Sequence, residues 1–290
     1  MFRYSLSNWT CGREPIADTF ERLHRLGFDG IELTGEPERY DVNELAALSR
    51  RYGLKIFSVL GQYPWPGNHD LANPDPEVRN QAVRYLVDCC EFASRIGAGI
   101  VVVLPSSVGK LAPVRYTGGS AEEYQLAFNE EWDCAVDAIG RAARRAEELG
   151  VILSVEPINR YETYLVRQVE QALKMVWDIG SRAVRIQLDT FHMNIEEPDM
   201  VAAVRAAGDL TVNIHMADSH REAAGTGHID FRAILAELIR LGYDGLLTIE
   251  HVPAGSDAGV LMGMPNFPEL RERFAATAIQ HLKSIEQQLR

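Results

Sequence analysis

Four apolar runs in the second half of the chain each end in a side chain able to bind a metal or carry a proton. VILSV runs into Glu156, VRIQL into Asp189, LTVNI into His215 and LLTI into Glu250. The intervals of 33, 26 and 35 residues each match one strand–helix unit. If the runs are parallel strands, all four side chains emerge at the same end of the sheet and can point into one cavity. A single carboxylate after an apolar run is ordinarily a helix cap or a rim salt bridge, but four successive strands ending this way are not explained so. Three carboxylates gathered out of water without a counter-charge are costly, and a divalent cation removes that cost. Three carboxylates and one imidazole form a hard, mostly oxygen donor set. It suits Mn²⁺, Mg²⁺ or Co²⁺, and it also admits Zn²⁺.

The segments after these residues are polar. Asp189 stands in QLDTFHMN, with His192 in the loop leaving its strand, which predicts a substrate-facing imidazole. His215 stands in HMADSHR, followed by Asp218, His220 and Arg221. Arg221 can face the cavity, or pair with Asp218 or Glu222. Glu156 stands in EPINRYE, followed by Asn159, Arg160 and Glu162. His220, His228 and His251 read as structural or exposed. The Gly225-Thr226-Gly227 stretch is a tight turn, too short to signal a nucleotide site.

Eight short, β-branched runs can position these groups, at 2–6, 30–33, 55–60, 100–104, 151–155, 184–188, 211–214 and 246–249. Several, such as VVVL at 101–104, are apolar on both faces, as parallel strands covered on two sides are. Helical periods separate them. Ile16, Phe20, Leu23 and Leu26 make one apolar stripe, and Val136, Ile139, Ala143, Ala146 and Leu149 make another, with Gly150 as the expected C-cap. The near-copies LGFDG (26–30) and LGYDG (241–245) each join a helix to a strand. Irregular stretches at 62–76 and 106–120 follow the third and fourth strands. The expectation is an α/β fold, a closed (β/α)8 barrel forming a single domain over 1–290, with function at the C-terminal rim. An open doubly wound sheet would want a glycine-rich phosphate loop after the first strand, and Ser7-Asn8-Trp9-Thr10 is not one.

A length of 290 residues suits such a barrel, and 46% hydrophobic with 24% charged residues is ordinary for a globular protein. Disorder, collagen and coiled coil are excluded. A formal net charge of −12 argues against a nucleic-acid partner. The longest apolar run, near 100–104, is too short to cross a bilayer, and the first residues lack a secretory pattern. Cys11, Cys89, Cys90 and Cys134 form no CxxC pair and read as free thiols, so the expected location is the cytoplasm. Lys110 alone among four lysines falls in an expected rim loop, which favours a substrate without phosphate.

At EPINRYE, QLDTFHMNIEE, the His215-to-Arg221 spacing and Glu250, the sequence resembles the xylose-isomerase-like barrel superfamily. Within it the sequence is most similar to the D-tagatose/D-psicose (allulose) 3-epimerases. The likeness covers nearly the whole chain and is strongest over 150–250; LANPDPEVRNQAV is similar to the family's entry into the third helix. The resemblance implies a ketose 3-epimerase with one divalent ion, Mn²⁺ foremost, on Glu156, Asp189, His215 and Glu250. It implies that Glu156 and Glu250 move the proton through a cis-enediolate, and that Glu162, His192 and Arg221 contact the sugar. It also implies a homodimer or homotetramer. Departures are Asp218-Ser219-His220, where such epimerases carry a glutamate-containing stretch, and the loop PSSVGKLAPVRYTGG. The same four ligands serve relatives with other chemistry: aldose–ketose and hydroxypyruvate isomerases, inosose dehydratases, and the metal subunit of C-glycoside deglycosylases, which needs a second polypeptide. An endonuclease IV-like repair enzyme would want more ligands and a basic track. A non-catalytic barrel would have no reason to keep a cation.

Overall fold

The computed structural model describes residues 1–61, 69–252 and 268–290. Part of the irregular stretch expected at 62–76 therefore lies outside the described residues. Eight parallel strands close in sequence order, β1 beside β8, into a single-domain barrel. The strands are β1 Arg3–Ser7, β2 Gly30–Thr34, β3 Lys55–Leu60, β4 Ile100–Val103, β5 Ile152–Val155, β6 Val184–Asp189, β7 Thr211–Met216 and β8 Leu246–Ile249. All eight expected runs are strands, with ends displaced by at most two residues. Among the described residues the helices are α1 Ile16–Leu26, α2 Val42–Tyr52, α3 Pro76–Ile96, α4 Ala121–Leu149, α5 Val169–Ile179, α6 Thr190–Glu196, α7 Met200–Ala207, α8 Phe231–Arg240 and α9 Pro268–Leu289. No helix among the described residues is long and apolar enough to cross a membrane.

Local chemistry sets these boundaries. Ser120 and Glu123 cap the start of α4 reciprocally, and Gly150 ends it in the left-handed conformation that a glycine adopts without strain. Small side chains on α4 (Ala135, Ala138, Ala142, Ala146) are fully buried and let the helix lie close to the barrel. The predicted stripe of α1 is also inside, with Phe20 and Leu23 wholly covered.

Alternation along the strands places the chemistry. Residues two apart share a face. Leu153 and Val155, Ile186 and Leu188, Ile214 and Met216, and Leu247 and Ile249 all belong to the buried apolar layer. The opposite faces carry Ser154 and Glu156, Gln187 and Asp189, Asn213 and His215, and Thr248 and Glu250. Beneath the rim, then, the second half of the barrel is filled with amides and hydroxyls rather than branched aliphatics. They bond in a chain: Thr248 Oγ1 donates to Asn213 Oδ1 at 2.9 Å, and Asn213 Nδ2 to Gln187 Oε1 at 2.8 Å.

Two irregularities fix the register of that inner layer. Between β6 and β7, Ile186 pairs with Thr211 but Gln187 with Asn213, so Val212 is skipped and Asp189 stands opposite His215. Between β2 and β3, Ile31 pairs with Ile56 but Glu32 with Ser58, so Phe57 is skipped. Such a shift re-aims the side chains beyond it. Gly30 makes the second shift sterically possible. A Cβ there would stand 2.2 Å from Lys55 O and 2.5 Å from the Phe57 ring. Gly30→Ala should therefore lower stability by about 1–3 kcal/mol through overpacking, read as a lower urea midpoint at unchanged slope. An unchanged midpoint would show that β2 and β3 have room to spare.

Candidate active site

The four strand-end residues meet at the C-terminal mouth of the barrel. His215 Nδ1 lies 3.0 Å from Glu156 Oε1 and 3.2 Å from Glu250 Oε1. Glu156 and Asp189 each offer an oxygen to a cluster shared with His192, all within 4.8 Å. A second cluster of the same compactness joins His215 and Glu250 to Glu32, a residue the sequence reading did not single out. Glu32, Glu156, Asp189, His215 and Glu250 are all buried, none more than 3% exposed.

Electrostatics record the crowding. Burial, opposed by His215 and reinforced by Glu250 and Asp189, pushes the Glu156 carboxyl up to about 7. Burial also raises Asp189, against the pull of His192. Burial alone would depress His215, yet Glu250, Glu32 and Glu156 lift its imidazole well above the ordinary value. Asp189 Oδ1 caps α6 by accepting from the amides of Phe191 and His192. Its other oxygen is buried with no hydrogen-bond partner among the described residues. A buried carboxylate oxygen left without a donor, beside two further carboxylates and an imidazole nitrogen, is the chemistry of a divalent-cation site. The residues present fit such an ion.

The cleft above this cluster is lined by Trp9, Glu162, His192 and Arg221 among polar groups, and by Leu60, Leu104, Val108 and Ile158 on its apolar wall. His192 lies in the first turn of α6 rather than in an irregular loop, because Asp189 is both the last residue of β6 and the helix cap. Its Nδ1 faces the backbone amide of Asn159 at 3.2 Å and the side-chain amide at 2.7 Å. With Nδ1 accepting, the ring proton sits on Nε2, toward Asp189 Oδ2 at 3.6 Å. Burial holds this imidazole below its ordinary value, hence neutral.

Arg221 does not take the pairing with Asp218 or Glu222 that its sequence neighbours offered. Its Nη1 donates to Glu162 Oε1 at 2.9 Å and its Nη2 lies 3.6 Å from Glu250 Oε2. The guanidinium stacks on the Phe191 and Trp9 rings, 4.9 and 5.7 Å from their centroids. Asp218 instead folds the loop: its carboxylate accepts from the amides of Ser219, Gly225, Thr226 and Ile229. The fold of that loop carries Arg221 in a left-handed conformation, φ 65°, the one non-glycine residue so placed among those described.

Lys110, expected at the rim, is turned inward. It pairs with Asp70 at 2.7 Å and with Glu131, whose carboxylate also receives Tyr164 OH and the amide of Val114 at 2.5 Å. This pins the loop after β4 so that Val108 faces the cleft, and it leaves Lys110 spoken for. Arg160 also points elsewhere, to Glu196. His220 and His228 are exposed and His251 is buried against Phe274, as expected of structural histidines. The four cysteines are free thiols.

Sequence reasoning missed two residues outright. Trp9, in the short 3-10 turn after β1, donates from Nε1 to Glu250 Oε1 at 2.6 Å. No periodicity marks such a turn. Glu32 carried a readable signal, a lone charge inside the otherwise apolar strand GIELT.

The model for xylose isomerase-like TIM barrels matches residues 20–286. The chain is 31% identical over 239 residues to L-ribulose 3-epimerase of Mesorhizobium japonicum, covering 82% of this chain and 76% of that one. It is 28% identical over 234 residues to D-psicose 3-epimerase of Ruminiclostridium cellulolyticum, covering 79% and 76%. A solved structure of L-ribulose 3-epimerase superposes with a TM-score of 0.83 at 25% identity, covering 99% of this chain and 97% of that one. The chain belongs to the xylose isomerase-like TIM barrel family and is a carbohydrate epimerase.

Proposed function

We propose that the enzyme is a ketose 3-epimerase that inverts the carbon beside the carbonyl of a free sugar, with one divalent ion, Mn²⁺ foremost, held by Glu156, Asp189, His215 and Glu250. The observation that carries this reading is the approach of Glu156, from the end of β5, and Glu250, from the end of β8, to the same imidazole nitrogen of His215. Two carboxylates on strands separated around the ring can address a substrate from two sides, as removal and return of a proton on opposite faces require.

When bound, the ion would polarise the ketose carbonyl and offset the charge that develops as the adjacent proton leaves. The chain's own groups do the rest. One glutamate takes the proton from the carbon and the other delivers one to the opposite face. Glu156, pushed up to about 7, is suited to exchange protons near neutrality. Trp9 holds one oxygen of Glu250 and leaves the other toward Arg221. His192 Nε2–H and the Arg221 guanidinium donate to sugar oxygens, and Glu162 accepts from a hydroxyl while holding Arg221 in place. The apolar wall of Leu60, Leu104, Val108 and Ile158 keeps water from the exposed carbanion-like face.

The absence of phosphate from the substrate rests on charge. Lys110 is neutralised by Asp70 and Glu131, and Arg221 is engaged by Glu162 and Glu250. Among the residues described as lining the cleft, Arg221 is the one cation. The free thiols support a cytoplasmic setting, and the likeness to 3-epimerases supports a homodimer or homotetramer.

In D₂O with Mn²⁺, a ketose should gain solvent deuterium at the inverted carbon. Inversion without label would contradict two exchanging carboxylates. Glu250→Gln should lower kcat by about 10²–10⁴-fold, the span of a lost general acid–base, and full activity would refute its role. Stripping metal with EDTA should abolish turnover and lower the thermal midpoint, and Mn²⁺ at 100 times its Kd should restore about 2.7 kcal/mol. Inactivity of the loaded enzyme on every free ketose would favour a lyase or deglycosylase reaction on the same ligands.

A further inference from the structure

Glu32 is not among the residues that line the cleft, and it meets the cluster through His215. It is wholly buried in the middle of β2. Its Oε2 accepts from Ser58 Oγ at 2.7 Å, and its Oε1 lies 3.1 Å from His215 Nε2. No lysine or arginine among the described residues pairs with it, and His215 is its one basic neighbour. A carboxylate buried this way, with the β2–β3 register shift to aim it, needs a function that the proton-transfer scheme does not supply.

The two nitrogens of His215 face different surroundings. Nδ1 looks toward Glu156 and Glu250, and Nε2 toward Glu32. Gln187 also approaches the ring, at 3.0 Å from Nε2 and 3.3 Å from Nδ1. Its amide belongs to the Gln187–Asn213–Thr248 chain, which can reverse by rotating both amides and so adapts to either ring proton. A carboxylate can only accept. With Glu156 and Glu250 engaged by the proposed ion, Glu32 is the carboxylate left to discriminate between the tautomers.

We propose that Glu32 is a positioning residue that keeps the His215 proton on Nε2, so that Nδ1 presents its lone pair to the divalent ion. The inference rests on the metal reading above. It assigns Glu32 no ligand role of its own, because its Oε1 is taken up by His215 Nε2 and its Oε2 by Ser58 Oγ. A hydrogen-bonded carboxylate behind a ligating imidazole both orients the ring and strengthens it as a donor.

The test titrates Mn²⁺ into metal-free protein and follows the free ion by electron paramagnetic resonance, alongside the thermal midpoint of the metal-free form. Glu32→Gln keeps the volume but can donate as well as accept. It should weaken Mn²⁺ binding about 10–100-fold. The metal-free midpoint should stay level or rise, since a buried charge has gone, and kcat should recover when Mn²⁺ is raised in proportion. Ser58→Ala, which frees one oxygen of Glu32, should weaken binding in the same direction by a smaller factor and covers the case that Glu32→Gln does not fold. Unchanged Mn²⁺ affinity in the variants, or a fall in the metal-free midpoint with affinity intact, would overturn the proposal and leave Glu32 a structural group. Failure of the wild-type protein to bind Mn²⁺ would instead overturn the metal reading on which it rests.

Discussion

Negative charge confined away from water is the constraint around which this barrel is built. Glu32, Glu156, Asp189 and Glu250 are all buried at its mouth, and Arg221 and His215 are the basic groups placed against them. Each uncompensated ion in such a place opposes folding by several kcal/mol. The metal-free chain responds as physics requires: protons are drawn onto Glu156 and His215. A divalent cation relieves the same strain without consuming the proton-transfer capacity of the glutamates. On the proposed reading, the folded state thus stores an affinity for the ion.

The polar interior follows from that constraint. A ligand sphere needs outer partners, and an aliphatic barrel core offers none. Here the strand residues two positions below Glu156, Asp189, His215 and Glu250 are Ser154, Gln187, Asn213 and Thr248, and the last three bond to one another below His215. The register shifts after Ile31 and Ile186 bring Glu32 level with Ser58, and Asp189 level with His215. Loops complete the enclosure by similar means. Asp218 gathers backbone amides to hold the turn that presents Arg221, and Glu131 gathers Lys110, Tyr164 and Val114 to hold the one that presents Val108.

Much of this was legible beforehand, and for a physical reason. A parallel strand buried on one face and facing the barrel mouth on the other shows an apolar run that stops at an ionisable side chain. Glu156, Asp189, His215 and Glu250 all carry that signature, and each lies where the spacing placed it. The helix stripes of α1 and α4 and the cap at Gly150 were legible by their period and chemistry. What was hidden depended on tertiary proximity. Trp9 reaches Glu250 across 241 positions, and Glu32 reaches His215 across 183. The turn that carries Trp9 leaves no local pattern, and the lone charge of Glu32 within GIELT does not name its partner. Lys110 stands in a rim loop as read, and its direction is set by Asp70 and Glu131, which no window around residue 110 contains.

The most direct test of the account is where a metal sits. Crystals grown with Mn²⁺ and measured at its absorption edge should show one anomalous peak at the barrel mouth. It should lie about 2.0–2.6 Å from oxygens of Glu156, Asp189 and Glu250 and from Nδ1 of His215, the range expected for hard cations. Glu32 should remain on Nε2 of His215. A peak bound through Nε2 and Glu32, or no peak at these side chains at full occupancy elsewhere, would contradict it.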